Sequence, residues 1–243
     1  MNVPIVLVHG AWHDGSCWDR IRPFLESAGH PVYTPTLPGL QEGYSGQAPT
    51  LAGQIGFLAD YINEHGIAEL LLVGHSWGGM VISGAAQRLA GQLRGLAYLD
   101  AAIPSDGDDF ASQVPGQDSD ALARRRATYR AMAADGVWIA PPPAAMVGVV
   151  KSEDVEWLEP RLRPHPLATW LEPVKIDAAV LQSLPKTYVL ATDPASPMMG
   201  YPAHAARLSG SAGWTCVEIA SGHDMMVTAA RETADILVAS AAG

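Results

Sequence analysis

Cysteine is scarce: Cys17 and Cys216 lie far apart, with no C-x-x-C pair and no histidine at metal-ligand spacing. Neither a disulfide framework nor a zinc site is expected, and both thiols read as reduced packing residues. Long apolar runs are missing as well, since none approaches the roughly 18 residues of a membrane span. Positive charge is short, with 15 Lys and Arg against 25 Asp and Glu for a formal net charge of −10 and a pI near 5.1. That balance argues against nucleic acid or an anionic membrane as partner. The one basic cluster, Arg124-Arg125-Arg126, reads as a solvated helix face. The amino-terminal Met1-Asn2-Val3-Pro4 carries no basic segment or cleavage site ahead of the first apolar run, so a cytoplasmic location is expected. Internal repeats, linkers and low-complexity tails are absent.

What is present suits an enzyme-sized α/β domain. A chain of 243 residues, 48% hydrophobic, is long for two compact domains and comfortable for one with an insertion. Its organising stretch is Glu69 to Gly84. The apolar run Leu70 to Val73 reads as a buried parallel strand, Gly74 stops it, and Gly78-Gly79 opens a helix. Gly74-His75-Ser76-Trp77-Gly78 fits G-x-S-x-G, in which a strained strand-to-helix turn exposes the serine at the carboxyl edge of the sheet. The unpaired N–H groups of the following helix make that edge favourable to a developing oxyanion.

The rest of the chain keeps a βαβ rhythm. Strands are expected at Val3 to Val8, Pro31 to Pro35, Leu96 to Leu99, Lys186 to Thr192 and Trp214 to Ile219. Helices are expected at Cys17 to Ser27, Leu51 to Glu64 with Thr50 as cap, from the serine turn to Leu89, at Pro202 to Leu208 and at Met226 to Ala239. The rhythm fails over about 104–173, a proline-rich stretch with a helix from Ser119 to Ala134 and little strand signal. It reads as a helical cap inserted in the domain 1–243, because such sheets bind ligands beyond the carboxyl ends of their strands and the insertion leaves from one.

His223 follows the last strand, at the edge where Ser76 emerges, and a neutral imidazole suits removal of a hydroxyl proton near pH 7. The order Ser, acid, His, with Gly74 to Gly79 and His9-Gly10-Ala11-Trp12, resembles the α/β-hydrolase fold: a mostly parallel sheet of about six strands flanked by helices. More narrowly, the loop His9 to Trp18, the serine turn, Leu99 to Pro104 and the run from His223 to Val227 look like the branch containing plant methylesterases, salicylate-binding esterases and hydroxynitrile lyases. The resemblance implies an oxyanion hole made by the backbone N–H groups of Ala11 and Trp77. Family members of this branch carry the acid in a Thr-x-Asp arrangement after the penultimate strand. Here Thr192-Asp193-Pro194 sets the aspartate one place early, and Asp100, ending the preceding strand, competes with it. Asp100 is preferred and Asp193 is the alternative.

The leading expectation is hydrolysis of a small, largely apolar carboxylic ester or lactone by Ser76 through an acyl-enzyme, with no metal or other cofactor. Gly10, Trp12, His13, Trp138 and Met146 are expected to bind substrate, with Trp77, Trp157 and Trp170 as further pocket walls. A lyase is the first rival. In the hydroxynitrile lyases of this branch a threonine follows the first-strand histidine and a lysine follows the catalytic one, whereas Gly10 and Asp224 stand here. A small-molecule receptor on a hydrolase scaffold is the second rival. Oligomeric state is not legible.

Overall fold

The computed structural model describes residues 2–194 and 201–243; Met1 and residues 195–200 lie outside it. In order, the chain forms β1 (Ile5–Val8), α1 (Arg22–Ser27), β2 (Val32–Tyr33), α2 (Leu51–Glu64), β3 (Leu70–His75), α3 (Gly78–Ala86), β4 (Leu93–Leu99), α4 (Ser119–Met132), β5 (Trp138–Ile139), α5 (Ser152–Leu158), β6 (His165–Pro166), α6 (Ala168–Leu171), α7 (Ala178–Ser183), β7 (Lys186–Ala191), α8 (Tyr201–Leu208), β8 (Trp214–Ile219), α9 (Met225–Thr228) and α10 (Ala230–Ala242). Among the described residues no helix is long and apolar enough to cross a membrane.

Six strands form one parallel sheet in the order β2-β1-β3-β4-β7-β8. Every residue of β1, β3 and β7 is buried, which is why β1 and the start of β3, Leu70 to Val73, read as unbroken apolar runs and not as alternating ones. One face packs on α2 and α3 through Leu58, Ile62, Met80 and Val81; the other packs Ile5, Leu7 and Val73 with Leu25 of α1 and Leu237 of α10. Register sets the functional edge. His75 pairs with Leu99 and Leu99 with Val189, so the residues that follow these strand ends emerge side by side.

The α2 boundaries and its cap agree with the sequence pattern, Thr50 accepting from the Gly53 N–H. Elsewhere tertiary contacts altered the expectation. Pro23 stands in the first turn of α1, so the helix starts at Arg22 after a 3₁₀ turn over Gly15–Trp18 instead of running from Cys17. The closing helix breaks at Ala229 into α9 and α10. The insertion is not purely helical: β5 and β6 pair antiparallel, Trp138 opposite Pro166 and Ile139 opposite His165. Pro141 just beyond β5, and Pro164 and Pro166 at β6, keep both strands to two residues. Cys17 is buried, but Cys216 is exposed because β8 is an edge strand. The arginine cluster is also not simply solvated. Arg126 Nε lies 2.6 Å from Asp109 Oδ2, and Arg125 Nε donates to Gln117 Oε1 at 2.9 Å.

Candidate active site

Ser76 sits in the left-handed region at φ 53°, a conformation that costs a non-glycine residue roughly 1–2 kcal/mol. Three backbone bonds hold it there: its N–H donates to Leu99 O at 3.1 Å, and its carbonyl accepts from Gly79 and Ala102 N–H groups at 3.1 and 3.0 Å. The flanking glycines are sterically required. A Cβ at Gly78 would lie 2.7 Å from His9 O, where the start of α3 touches the β1 loop. The strained turn is therefore built by local sequence and clamped by β4.

Asp100, at φ 42°, ends β4 and donates its N–H to Val189 O at 2.7 Å. Its Oδ2 lies 2.7 Å from His223 Nδ1, and its Oδ1 accepts from the Ala191 N–H at 3.3 Å. A carboxylate oxygen only accepts, so Nδ1 carries the hydrogen and Nε2 keeps a free lone pair. Asp193 is exposed. The structure thus brings Asp100, and not Asp193, to His223, because β4 lies between the strand that delivers Ser76 and β7. The position one place early on the β7 loop turns Asp193 outward.

Ser76 and His223 both line a cavity of about 290 Å³ at the carboxyl edge of the sheet, with Ala11, Trp12, Phe110, Tyr129, Met146 and Trp170 among its walls. A larger groove of about 730 Å³, bordered by Lys186, Trp214 and Glu232, lies at the opposite strand ends and holds none of these groups. Among the described residues, neither the Ala11 nor the Trp77 N–H is engaged in a backbone hydrogen bond. Trp12, at φ 64°, is pinned by the insertion: its N–H faces His165 Nδ1 at 3.4 Å, its indole N–H donates to Ile139 O at 3.2 Å and its carbonyl accepts from Arg163 N–H. His165 Nε2 reaches Thr169 Oγ1, whose hydroxyl donates to Pro166 O. Desolvation holds this imidazole well below its ordinary pKa, so it stays neutral and accepts from Trp12.

Several expected wall residues are corrected. Trp77 is fully buried and packs edge-on against His165 at 4.7 Å, so only its backbone is near the site. His13 is 2% exposed and faces Asp224. Trp138 packs against Tyr44 beside a separate groove, and Trp157 is sandwiched by Arg20 and Arg161. Gly10 abuts the serine turn instead of open space, since a Cβ there would lie 2.7 Å from His75 Nδ1 and 3.0 Å from Ser76 Cβ. Gly10→Ala is accordingly expected to lower kcat/KM by about 10- to 100-fold through displacement of Ser76, with a melting temperature near that of the unsubstituted protein; steady-state kinetics beside a thermal melt checks both halves.

Sequence reasoning missed Tyr201. Its hydroxyl lies 3.4 Å from Ser76 Oγ and its ring stacks parallel to His223 at 5.4 Å. Its place at the head of α8, beyond the carboxyl end of β7, was the available signal. It also missed the inner face of α4, where Arg125, Thr128, Tyr129 and Met132 line the cavity at helical spacing. The Asp224 carboxylate, although adjacent in sequence to His223, is fully buried against His13 and so does not present negative charge to a leaving group.

Strained serine turn, aspartate-bound histidine and six-stranded parallel sheet define an α/β hydrolase. Residues 5–236 match the alpha/beta hydrolase family, and the chain belongs to it. Over 242 residues it is 36% identical to the carbendazim hydrolyzing esterase of Nocardioides sp. (strain SG-4G), covering 96% of this chain and 98% of that one. Salicylic acid-binding protein 2 of Nicotiana tabacum is 34% identical over 107 residues, 41% of this chain and 39% of that protein. An extracellular alpha/beta-hydrolase from a Paenibacillus species superposes with a TM-score of 0.80 at 25% identity, covering 98% of both chains. The likeness to the plant methylesterase branch is thus evident in both sequence and structure.

Proposed function

We propose that this protein is a serine hydrolase of small, largely apolar carboxylic esters or lactones. The observation that carries the reading is the 2.7 Å contact of His223 Nδ1 with Asp100 Oδ2, which leaves Nε2 as the base in the cavity that Ser76 also lines. Ser76 Oγ adds to the ester carbonyl while His223 Nε2 takes its proton. The Ala11 and Trp77 N–H groups hold the oxyanion, and donors fixed before reaction do so without reorganising. Collapse of the tetrahedral intermediate expels the alcohol, which leaves with the proton from His223, and water repeats the sequence on the acyl-enzyme to release the acid.

The apolar, partly aromatic walls favour a flat or branched apolar substrate, and the 104–173 segment acts as the cap that supplies Phe110, Tyr129 and Trp170 to them. Arg125 and Thr128 are the polar groups of that wall. Ester hydrolysis agrees with the names of the relatives, so carbendazim and a short-chain nitrophenyl ester are the first substrates to test. Release of nitrophenol well above the buffer rate is expected. Cyanide release from mandelonitrile in its place would overturn the reading in favour of a lyase.

Tyr201 contributes a hydroxyl donor next to the reacting oxygen. Burial holds its phenol well above its ordinary pKa, so it remains protonated throughout the working range. Tyr201→Phe is expected to reduce kcat by about tenfold with little change in KM, since the lost bond matters chiefly in the transition state.

A further inference from the structure

None of the steps above uses the pair His13 and Asp224, although its side chains are 3% and 0% exposed. Burying two such groups is costly unless they serve each other. Donor and acceptor accounting shows how they do. His13 Nδ1 lies 2.6 Å from Ala11 O, and a carbonyl only accepts, so Nδ1 carries a hydrogen. His13 Nε2 lies 2.9 Å from Asp224 Oδ2. Two lone pairs cannot face each other at that distance, so a second proton sits between imidazole and carboxylate.

The bonds span two loops. His13 and Ala11 belong to the loop after β1; Asp224 directly follows His223 on the loop after β8 and is itself anchored by its N–H to Val147 O at 3.0 Å. His75, the residue before Ser76, completes the knot. Its Nε2 lies 3.0 Å from His223 O, and its ring lies edge-on to that of His13. Three chain segments, carrying the proposed oxyanion donor, nucleophile and base, therefore meet behind the cavity at these side chains.

We propose that His13 and Asp224 are positioning residues: one proton held between them locks the Ala11 loop to the His223 loop and so fixes the oxyanion donor relative to the base. The proposal rests on the hydrolase reading. It also makes the lock pH-sensitive. Burial works against charge on His13, but the Asp224 carboxylate outweighs it and raises the His13 pKa above its ordinary value; burial alone would raise Asp224, and His13 lowers it. The lock is whole below about pH 6.5 on the histidine side and is lost as pH rises through the raised His13 value. On the acid side it is whole above about pH 3.9 and is lost as pH falls through the lowered Asp224 value.

The titratable groups around the pair are His9, Asp14, Cys17, His75, His165 and His223. Desolvation lowers His9 to about 4 and holds His75 and His165 well below their ordinary values, while it pushes the Cys17 thiol up. These four keep one charge state across the neutral and mildly alkaline range.

The test compares kcat and KM for a nitrophenyl ester in wild type, Asp224→Ala and Asp224→Asn from pH 5 to 10. Asparagine can donate its amide hydrogen to Nε2 of a neutral His13 while Nδ1–H stays on Ala11 O, so both bonds survive without charge. Asp224→Ala is expected to lower kcat roughly 30-fold with KM changed less than about threefold. Asp224→Asn should recover most of that loss and lack the alkaline fall seen in wild type. Imidazole ¹⁵N NMR of His13 in Ser76→Ala protein should show both nitrogens protonated at pH 6 and Nδ1 alone protonated once the alkaline limb is passed. Asparagine as damaging as alanine, or an alkaline limb unchanged in Asp224→Asn, would overturn the positioning role. A His13 Nε2 that carries no proton at pH 6 would overturn the shared proton even in a protein that hydrolyses esters. Wild-type protein without ester turnover would sink the hydrolase reading, while the NMR still decides where the proton lies.

Discussion

Ser76→Ala is expected to cut kcat/KM for a short-chain nitrophenyl ester by about three to six orders of magnitude. The size follows from what the variant keeps. Binding walls and oxyanion donors remain and give only a small residual acceleration over water, whereas the covalent route is gone. Tyr201 cannot replace the missing hydroxyl, because its raised pKa keeps it from becoming a phenolate. The fold should be untouched, since the three bonds that hold the turn are made by the backbone of Ser76, and alanine keeps them. Nitrophenol release in parallel assays of both proteins, purified free of contaminating esterase, measures the ratio. A variant as fast as the wild type would remove Ser76 from the mechanism and leave ligand binding, or a lyase route independent of acylation, to be examined.

The second large effect is expected at the acid. Asp100→Asn should lower kcat by about 10⁴-fold, while Asp193→Asn should stay within about twofold of wild type. The reason lies in the second oxygen. Oδ1 of residue 100 accepts from the Ala191 N–H at 3.3 Å, so an asparagine would keep its carbonyl oxygen there and turn its amide group toward His223. That amide donates, which obliges His223 Nδ1 to accept and moves the ring hydrogen to Nε2, the nitrogen that must take the serine proton. The variant would hold the right shape with the wrong tautomer. Rates for both variants under saturating ester decide the matter, and the reverse ranking would transfer the acid to Asp193.

Much of the site was legible because local sterics govern it. The apolar run before Gly74, the glycines after Ser76 and the β-capable segments ending at Asp100 and before His223 specify strand ends and a tight turn through backbone sterics and burial of continuous apolar runs. The same reasoning located α2 and its Thr50 cap. These features depend on residues within one helix turn or one strand of each other, and an amino-acid sequence records such relations directly.

What the sequence left open were relations between segments. Asp100 and Asp193 both follow apolar strands, and only strand order and register decided which carboxylate faces His223. His13 and Trp77 look like pocket residues by their neighbours, yet burial drew one to Asp224 and the other to His165. Asp224 and His223 are adjacent, yet one faces the buried pair and the other the cavity, because consecutive residues in a turn point different ways. Tyr201 reaches Ser76 across 125 positions. The sequence by itself determined the α/β hydrolase class, the serine turn and its histidine, since each is written in short-range pattern. The tertiary structure alone decided which aspartate meets His223, which side chains line the cavity and that His13 meets Asp224 behind it, because side-chain direction and long-range register are set by packing.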